Sequence, residues 1–373
     1  MVQASTLLTL VAASVAFVSA APGTHPVGFA KRDSCTFSGS NGAAQVKKNK
    51  GNCSTITLKD VAVPAGQTLD LTKLKSGTKV IFQGTTTFGY EEWSGPLISV
   101  SGSSITVSGA SGHLIDGNGI RWWDQLGGNG GKDKPKFFYA HSLKNSVIEN
   151  LSFKDSPVQL MSINTVESLQ VRGISMDNKL GDTKGGHNTD AFDVGDSTGV
   201  TISGANIFNQ DDCLAINSGT NIVFTGGMCV GGHGCSIGSV GGRKDNTVSN
   251  VQITSTTIQD SDNGVRIKTV YGATGAVKGV TYKDITLQNI AKYGIVIQQD
   301  YKNGSPTGKP TTGVPITGLT LQNITGTVKS SAKNIYILCG KGSCSDWNWS
   351  GISVTGGKNA RSQCTNVPSG VSC

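Results

Sequence analysis

Asn209-Gln210-Asp211-Asp212-Cys213-Leu214-Ala215-Ile216-Asn217 places two adjacent carboxylates directly before a run of apolar and small residues. Neighbouring carboxylates resist joint ionisation, so such a pair at the mouth of a hydrophobic strand calls for a reason. The six-residue frame that starts at Asp212 recurs. It matches Asp190-Ala191-Phe192-Asp193-Val194-Gly195, His233-Gly234-Cys235-Ser236-Ile237-Gly238, Asn263-Gly264-Val265-Arg266-Ile267-Lys268 and Tyr293-Gly294-Ile295-Val296-Ile297-Gln298. Ser156–Met161 fits more loosely, and Ile335-Tyr336-Ile337 supplies the apolar pair once more. The third and fifth positions of these rows are apolar throughout, the alternation of a half-buried strand. The fourth and sixth positions face the other way and include Asp193, Asn217, Arg266, Lys268 and Gln298. First positions hold Asp190, Asp212, His233, Asn263 and Tyr293, and second positions hold Ala191, Cys213 and three glycines.

Successive first positions are 22, 21, 30 and 30 residues apart. A second apolar strand keeps pace with them, at Leu169-Gln170-Val171, Val200-Thr201-Ile202, Ile222-Val223-Phe224, Val251-Gln252-Ile253, Val280-Thr281-Tyr282 and Leu319-Thr320-Leu321. Repeats of this length mark a solenoid. Short strands punctuated by Gly and Asn predict an all-β chain wound as a right-handed parallel β-helix. Residues 33–373 form one domain on this reading. Residues 35–75 are expected to cap the first coil and the Cys- and Trp-bearing segment from Cys339 onward the last. Residues 116–136 read as a surface loop or short helix, and insertions at 269–279 and 299–315 as loops beside the polar face.

Residues 1–20 have the apolar core and the small-residue end (Val18-Ser19-Ala20) of a secretory signal, and 21–32 read as a propeptide ending in the dibasic Lys31-Arg32. Secretion makes disulfides the expected use of the nine cysteines. The short loops suggest Cys35–Cys53, Cys213–Cys229, Cys339–Cys344 and Cys364–Cys373, leaving Cys235 as a free thiol in an inward column. No Cys-x-x-Cys or Cys/His cluster marks a metal site, and no metal or cofactor is expected. Five sequons, at Asn52, Asn150, Asn303, Asn323 and Asn348, are glycosylation candidates. The formal charge of +8 suits a polyanionic partner. Runs of Lys and Arg and basic–aromatic interleaving are missing, which argues against nucleic acid; a monomer with no membrane association is expected.

If the rows stack about 4.8 Å apart, Asp190, Asp212 and His233 are neighbours, with Asp211 beside Asp212, and Arg266 and Lys268 lie about 10 Å further along. Clustered carboxylates retain a proton and can supply both the acid and the base of glycoside hydrolysis, while Arg and Lys recognise a sugar carboxylate. An acidic polysaccharide substrate follows. Taken singly, each Asp could cap a turn and the His could be an ordinary hydrogen-bonded one; the shared column favours function. Strict alternation would turn the first-position residues inward, so a backbone bend at the small second position is expected, with Gly supplying unusual dihedrals.

These motifs, Asn188-Thr189-Asp190, Asp211-Asp212, Gly232-His233-Gly234 and Arg266-Ile267-Lys268, resemble those of the fungal endopolygalacturonases of glycoside hydrolase family 28, over essentially the whole chain from Asp33 on. The resemblance implies inverting hydrolysis of α-1,4 bonds between galacturonic acids of pectin. Asp211 would be the general acid, and Asp190 and Asp212 would activate water. His233 would support the acid, Arg266 and Lys268 would bind substrate carboxylates, and Tyr301 would position the sugar. Asn188, His187, Asp193, Asn217 and Gln298 are looser subsite candidates. A pectate lyase or rhamnogalacturonan hydrolase on the same fold, or a non-catalytic adhesin for acidic glycans, is the competing reading; an adhesin gives no reason to gather three Asp and a His at one point.

Overall fold

The computed structural model describes Met1, residues 33–357 and residues 362–373. The expected signal and propeptide segments, Met1 aside, lie outside the described residues. From Asp33 the chain winds through parallel strands. On the face that carries Asp211-Asp212 they run Leu69–Leu74, Ile98–Ser103, Phe138–Glu149, Met161–Asn164, Phe192–Gly195, Leu214–Ile216, Cys235–Val240, Asn263–Val270, Tyr293–Tyr301, Lys333–Leu338 and Ser362–Thr365, each paired in parallel with the next. A second face stacks Glu167–Arg172, Thr198–Ser203, Gly219–Thr225, Thr247–Gln259, Ala276–Ile290, Thr320–Val328 and Asn348–Thr355. A third stacks Leu114–Asp116, Ser152–Lys154, Ser175–Asp177, Asn206–Asn209 and Met228–Gly231. The architecture is a right-handed parallel β-helix, as the repeat spacing predicts.

The register follows the sequence columns. Phe192, Leu214, Cys235, Val265, Ile295 and Ile335 oppose one another in turn. The looser row is displaced: Met161 pairs with Phe192, so the row is Gln159–Asn164, three residues later than the apolar spacing of Val158 and Leu160 suggests. Val158 and Leu160 are buried in the turn leading into that strand, which imitates the pattern. Inward side chains are fully sequestered, and each such aliphatic is worth about 1.5–3 kcal/mol. Bends within the second-face strands use residues at positive φ that stack in register, as Asn221 and Asn250 do (φ +56° and +50°), joined by a side-chain hydrogen bond of 2.6 Å. Asn accepts this backbone because its short amide can bond locally.

Both ends are closed. A helix, Gly42–Asn49, lays Ala43 and Val46 over the first coil, pinned by Cys35–Cys53. At the other end Trp347 is buried and stacks on Trp349 at 6.3 Å. The other three expected disulfides form, and Cys235 is a buried free thiol. The 116–136 segment departs from its surface reading. A short 3-10 turn, Gly119–Arg121, feeds Trp122 and Trp123 into buried positions, where the indole N–H groups donate to the Glu91 and Ser156 carbonyls at 2.8 and 3.0 Å.

Candidate active site

The outward columns line one cleft of about 790 Å³. Asp190, Asp211, Asp212, His233, Arg266, Lys268, Gln298 and Tyr301 all face it, as do Asn188, His187, Asp193 and Asn217. First-position and even-position side chains therefore share a face, and the backbone does change direction between them. The expected cause is only part of the reason. Gly234 has φ +83°, whereas Ala191, Cys213, Gly264 and Gly294 are outside the left-handed region. Smallness answers instead to space: a Cβ at Gly234 would stand 2.1 Å from the Asn263 carbonyl oxygen, one at Gly264 2.5 Å from that of Gly294. Of the two insertions, 299–315 brings Tyr301, Asn303, Gly304 and Pro306 to the cleft. Residues 269–279 do not line it, and Gly238–Asp245 contributes Arg243 and Lys244 in their place.

Asp211 is the most heavily bonded of the three acids. Its Oδ1 accepts the Asp212 backbone N–H and meets His233 Nδ1, both at 2.8 Å. Oδ2 accepts the Asn188 amide at 2.9 Å, which leaves one lone-pair position on that oxygen. Asn188, at φ +51°, in turn accepts from Gly128 N–H and the Asn129 amide, tying the Trp122–Trp123 segment to the acid. Asp212 is fixed from the next rungs: Ser236 Oγ donates to Oδ1 at 2.6 Å, Lys268 Nζ to Oδ2 at 2.7 Å, and Arg266 lies 3.6 Å away. Lys268, expected to meet substrate carboxylates, is thus already paired, and it also sits 5.5 Å from the Tyr301 ring centroid. Asp190 contrasts with both, because its Oδ1 is buried and without a hydrogen-bond partner.

Electrostatics follow from these contacts. Burial and the Asp211 charge push Asp190 well above the ordinary carboxylate range. Burial and Asp212 lift Asp193 to about 7. Burial also works to raise Asp211, but the His233 hydrogen bond and charge, with Lys268, outweigh it and hold Asp211 below its usual value. For His233, burial favours the neutral ring, yet Asp211 raises it above 6.5. These contacts raise the proton affinity of Asp190, Asp193 and His233 and lower that of Asp211. Asp211, Asp212 and His233 bring potential ligand atoms within 4.8 Å of one another, but the cation placed against Asp212 is the Lys268 ammonium. Cys213, Cys229 and Cys235 also cluster; two of them are joined as a disulfide.

Besides Arg243 and Lys244, contributors that escaped the sequence reading include Ser236, Asp262 and Lys292. Ser236 occupies a fourth position, so its column already marked it. Asp262 and Lys292 stand one residue before the frame, in the column that Asp211 itself occupies, and reading that column would have found them. Arg266 and Gln298 keep their outward positions, and Tyr301 follows Gln298 at the end of the same strand.

The family model of the glycosyl hydrolases of family 28 matches residues 53–373. A polygalacturonase of Penicillium griseoroseum is 66% identical over 360 residues, covering 95% of this chain and 96% of that protein. Endopolygalacturonase I of Aspergillus aculeatus is 62% identical over 377 residues, covering 99% of each. Among solved structures, endopolygalacturonase I of Stereum purpureum complexed with two galacturonates superposes with a TM-score of 0.79 at 38% identity, covering 89% of this chain and 98% of that one.

Proposed function

The chain belongs to the glycosyl hydrolases of family 28, and from that premise we propose that it is a secreted endopolygalacturonase that cleaves α-1,4-galacturonosyl bonds of polygalacturonate, the backbone of pectin, with inversion. One observation carries the reading most directly: three carboxylates, a histidine and two cations converge in a single open cleft on consecutive rungs. Relatives named for polygalacturonase activity support the substrate. Four disulfides are in keeping with an oxidising, extracellular setting, and all five sequon asparagines are exposed.

In the mechanism, Asp211 is the acid. Asp211, protonated on Oδ2, which keeps a lone-pair position free for the proton, gives it to the glycosidic oxygen, and the His233 imidazolium at Oδ1 stabilises the carboxylate left behind. Water attacks the anomeric carbon from the opposite side as the glycosidic bond breaks. Asp190, in its ionised form, takes the water proton, and its raised proton affinity suits a base. Asp212, locked by Ser236 and Lys268, orients the water. Arg266 binds a sugar carboxylate, Tyr301 positions the ring, and Asn188, Asp193, Asn217 and Gln298 contact flanking sugars. One displacement leaves no covalent glycosyl intermediate. Purified protein incubated with polygalacturonate and a chelator is expected to release saturated oligomers whose first-formed anomer, read by proton NMR, is inverted. Unsaturated products, chelator sensitivity or retained configuration would overturn the assignment.

A further inference from the structure

His233 has a second acid at its other nitrogen. Its Nδ1 meets Asp211 at 2.8 Å, and Nε2 lies 3.5 Å from Asp262 Oδ2. That same Asp262 oxygen is 2.7 Å from Lys292 Nζ. The three stand on successive rungs, because Asp262 N–H donates to the Gly232 carbonyl and Lys292 N–H to the Asp262 carbonyl. The remaining charges around the ring are Asp212 and Arg266, with Asp190 in the same cleft. Asp262 and Lys292 both line the cleft, and Lys292 is the more exposed, at 63% of its side chain against 27%.

We propose that Asp262 is a positioning residue that holds His233 as an imidazolium with Nδ1–H aimed at Asp211, and that Lys292 is a counterweight which a polyanionic substrate draws away. A doubly protonated ring is favoured by negative charge near both nitrogens, and Asp262, 3.5 Å from Nε2, supplies the second. Lys292 on the same carboxylate oxygen neutralises part of that charge. When a substrate carboxylate takes up the Lys292 ammonium, Asp262 acts on His233 undiluted, and the proton is held more firmly while the chain is bound. This inference rests on the reading of Asp211 and His233 as the acid pair.

The experiment is an NMR titration of the five histidines in the full chain, with His233 assigned by its loss in His233→Asn. Asp262→Asn is expected to lower the His233 midpoint by about half a unit or more, and Lys292→Met to raise it, as for charge changes at partly exposed contacts. Asp262→Glu should restore most of the shift. In parallel, the alkaline limb of polygalacturonate hydrolysis should move in the same direction in each variant. Midpoints that stay put in both Asp262→Asn and Lys292→Met overturn the proposal, and so do midpoints that move while the alkaline limb does not. The titration needs no turnover. Absence of hydrolysis by the unaltered protein would therefore count against the proposed function, leaving the His233 midpoint to decide the coupling between Asp262 and the ring.

Discussion

Asp190 and Asp212 occupy the same column on adjacent rungs and live in opposite environments. Asp212 has a hydroxyl on one oxygen and an ammonium on the other. Asp190 has a buried oxygen with no partner. The repeat gives both the same address on the coil, and the next rungs decide what each can do. Ser236 and Lys268 lie one and two rungs beyond Asp212 and reach back to it. The difference separates stability from chemistry: one acid is part of what holds the rungs together, the other is kept by the fold at a cost.

The largest test of this contrast is turnover. Asp211→Asn should lower kcat on polygalacturonate by about two to four orders of magnitude, the usual worth of general acid–base catalysis. Asp190→Asn and Asp212→Asn should be comparably damaging, and because the three act as a unit their effects should not add. Near-normal turnover in any of them removes that residue from the mechanism.

Stability should then split the pair that activity cannot. Lys268→Ala strips buried Asp212 of its nearest counter-ion, leaving only Arg266 at 3.6 Å, and is expected to cost about 3 kcal/mol in urea unfolding. Pairing it with Asp212→Asn should recover much of that loss. Asp190→Asn, by contrast, should stabilise the protein at pH 7. If Asp190→Asn and Asp212→Asn shift the urea midpoint in the same direction, the contrast is broken.

A smaller effect is expected at Arg266, which lies further from Asp212 than Lys268 does. Arg266→Ala should weaken substrate binding by about 2 kcal/mol, the scale of a charge-assisted hydrogen bond, while leaving the urea midpoint nearly unchanged. An unaltered KM would exclude it from recognition.

The smallest effect is the pH dependence of stability. Asp190 and Asp193 bind protons more tightly folded than unfolded, and so does His233. For the two acids the folded chain carries the extra proton from about pH 4 upward, to about 7 in the case of Asp193, so stability falls as pH rises through that window. The His233 contribution is complete below 6.5 and lost above it. Asp211 runs the other way, its contribution present above 3.8 and lost in acid. The melting temperature should therefore be higher near pH 5 than near pH 8, and Asp193→Asn should flatten the slope. A melting temperature that climbs between these values would reverse the assignment of protons.

Much of this arrangement is legible in one dimension because the fold turns chain period into spatial register. Phe192, Leu214, Cys235, Val265 and Ile295 declare the inward column, and the acids on the outward face follow from the same alignment. What stays hidden is of two kinds. Contacts that leave the period, such as Asn188 drawing the Trp122–Trp123 segment onto Asp211, depend on how an irregular loop folds back. Which acid keeps a proton depends on burial and on partners one or two rungs away. The composition of a row says nothing of whether Lys268 will turn toward Asp212 or toward substrate. The displaced row at Gln159–Asn164 shows the limit of alternation by itself, since a buried turn can carry the same apolar spacing as a strand.

The helix over the first coil has a consequence beyond shielding. A coil of parallel strands ends in a row of unsatisfied amide and carbonyl groups, and such a bare edge is a template for another strand. Two molecules stripped of their lids could continue one another's winding, and the same pairing repeated would give a fibre. By laying Gly42–Asn49 across the open end of the first coil, and stapling it through Cys35–Cys53, the chain makes that end harder for another copy to extend.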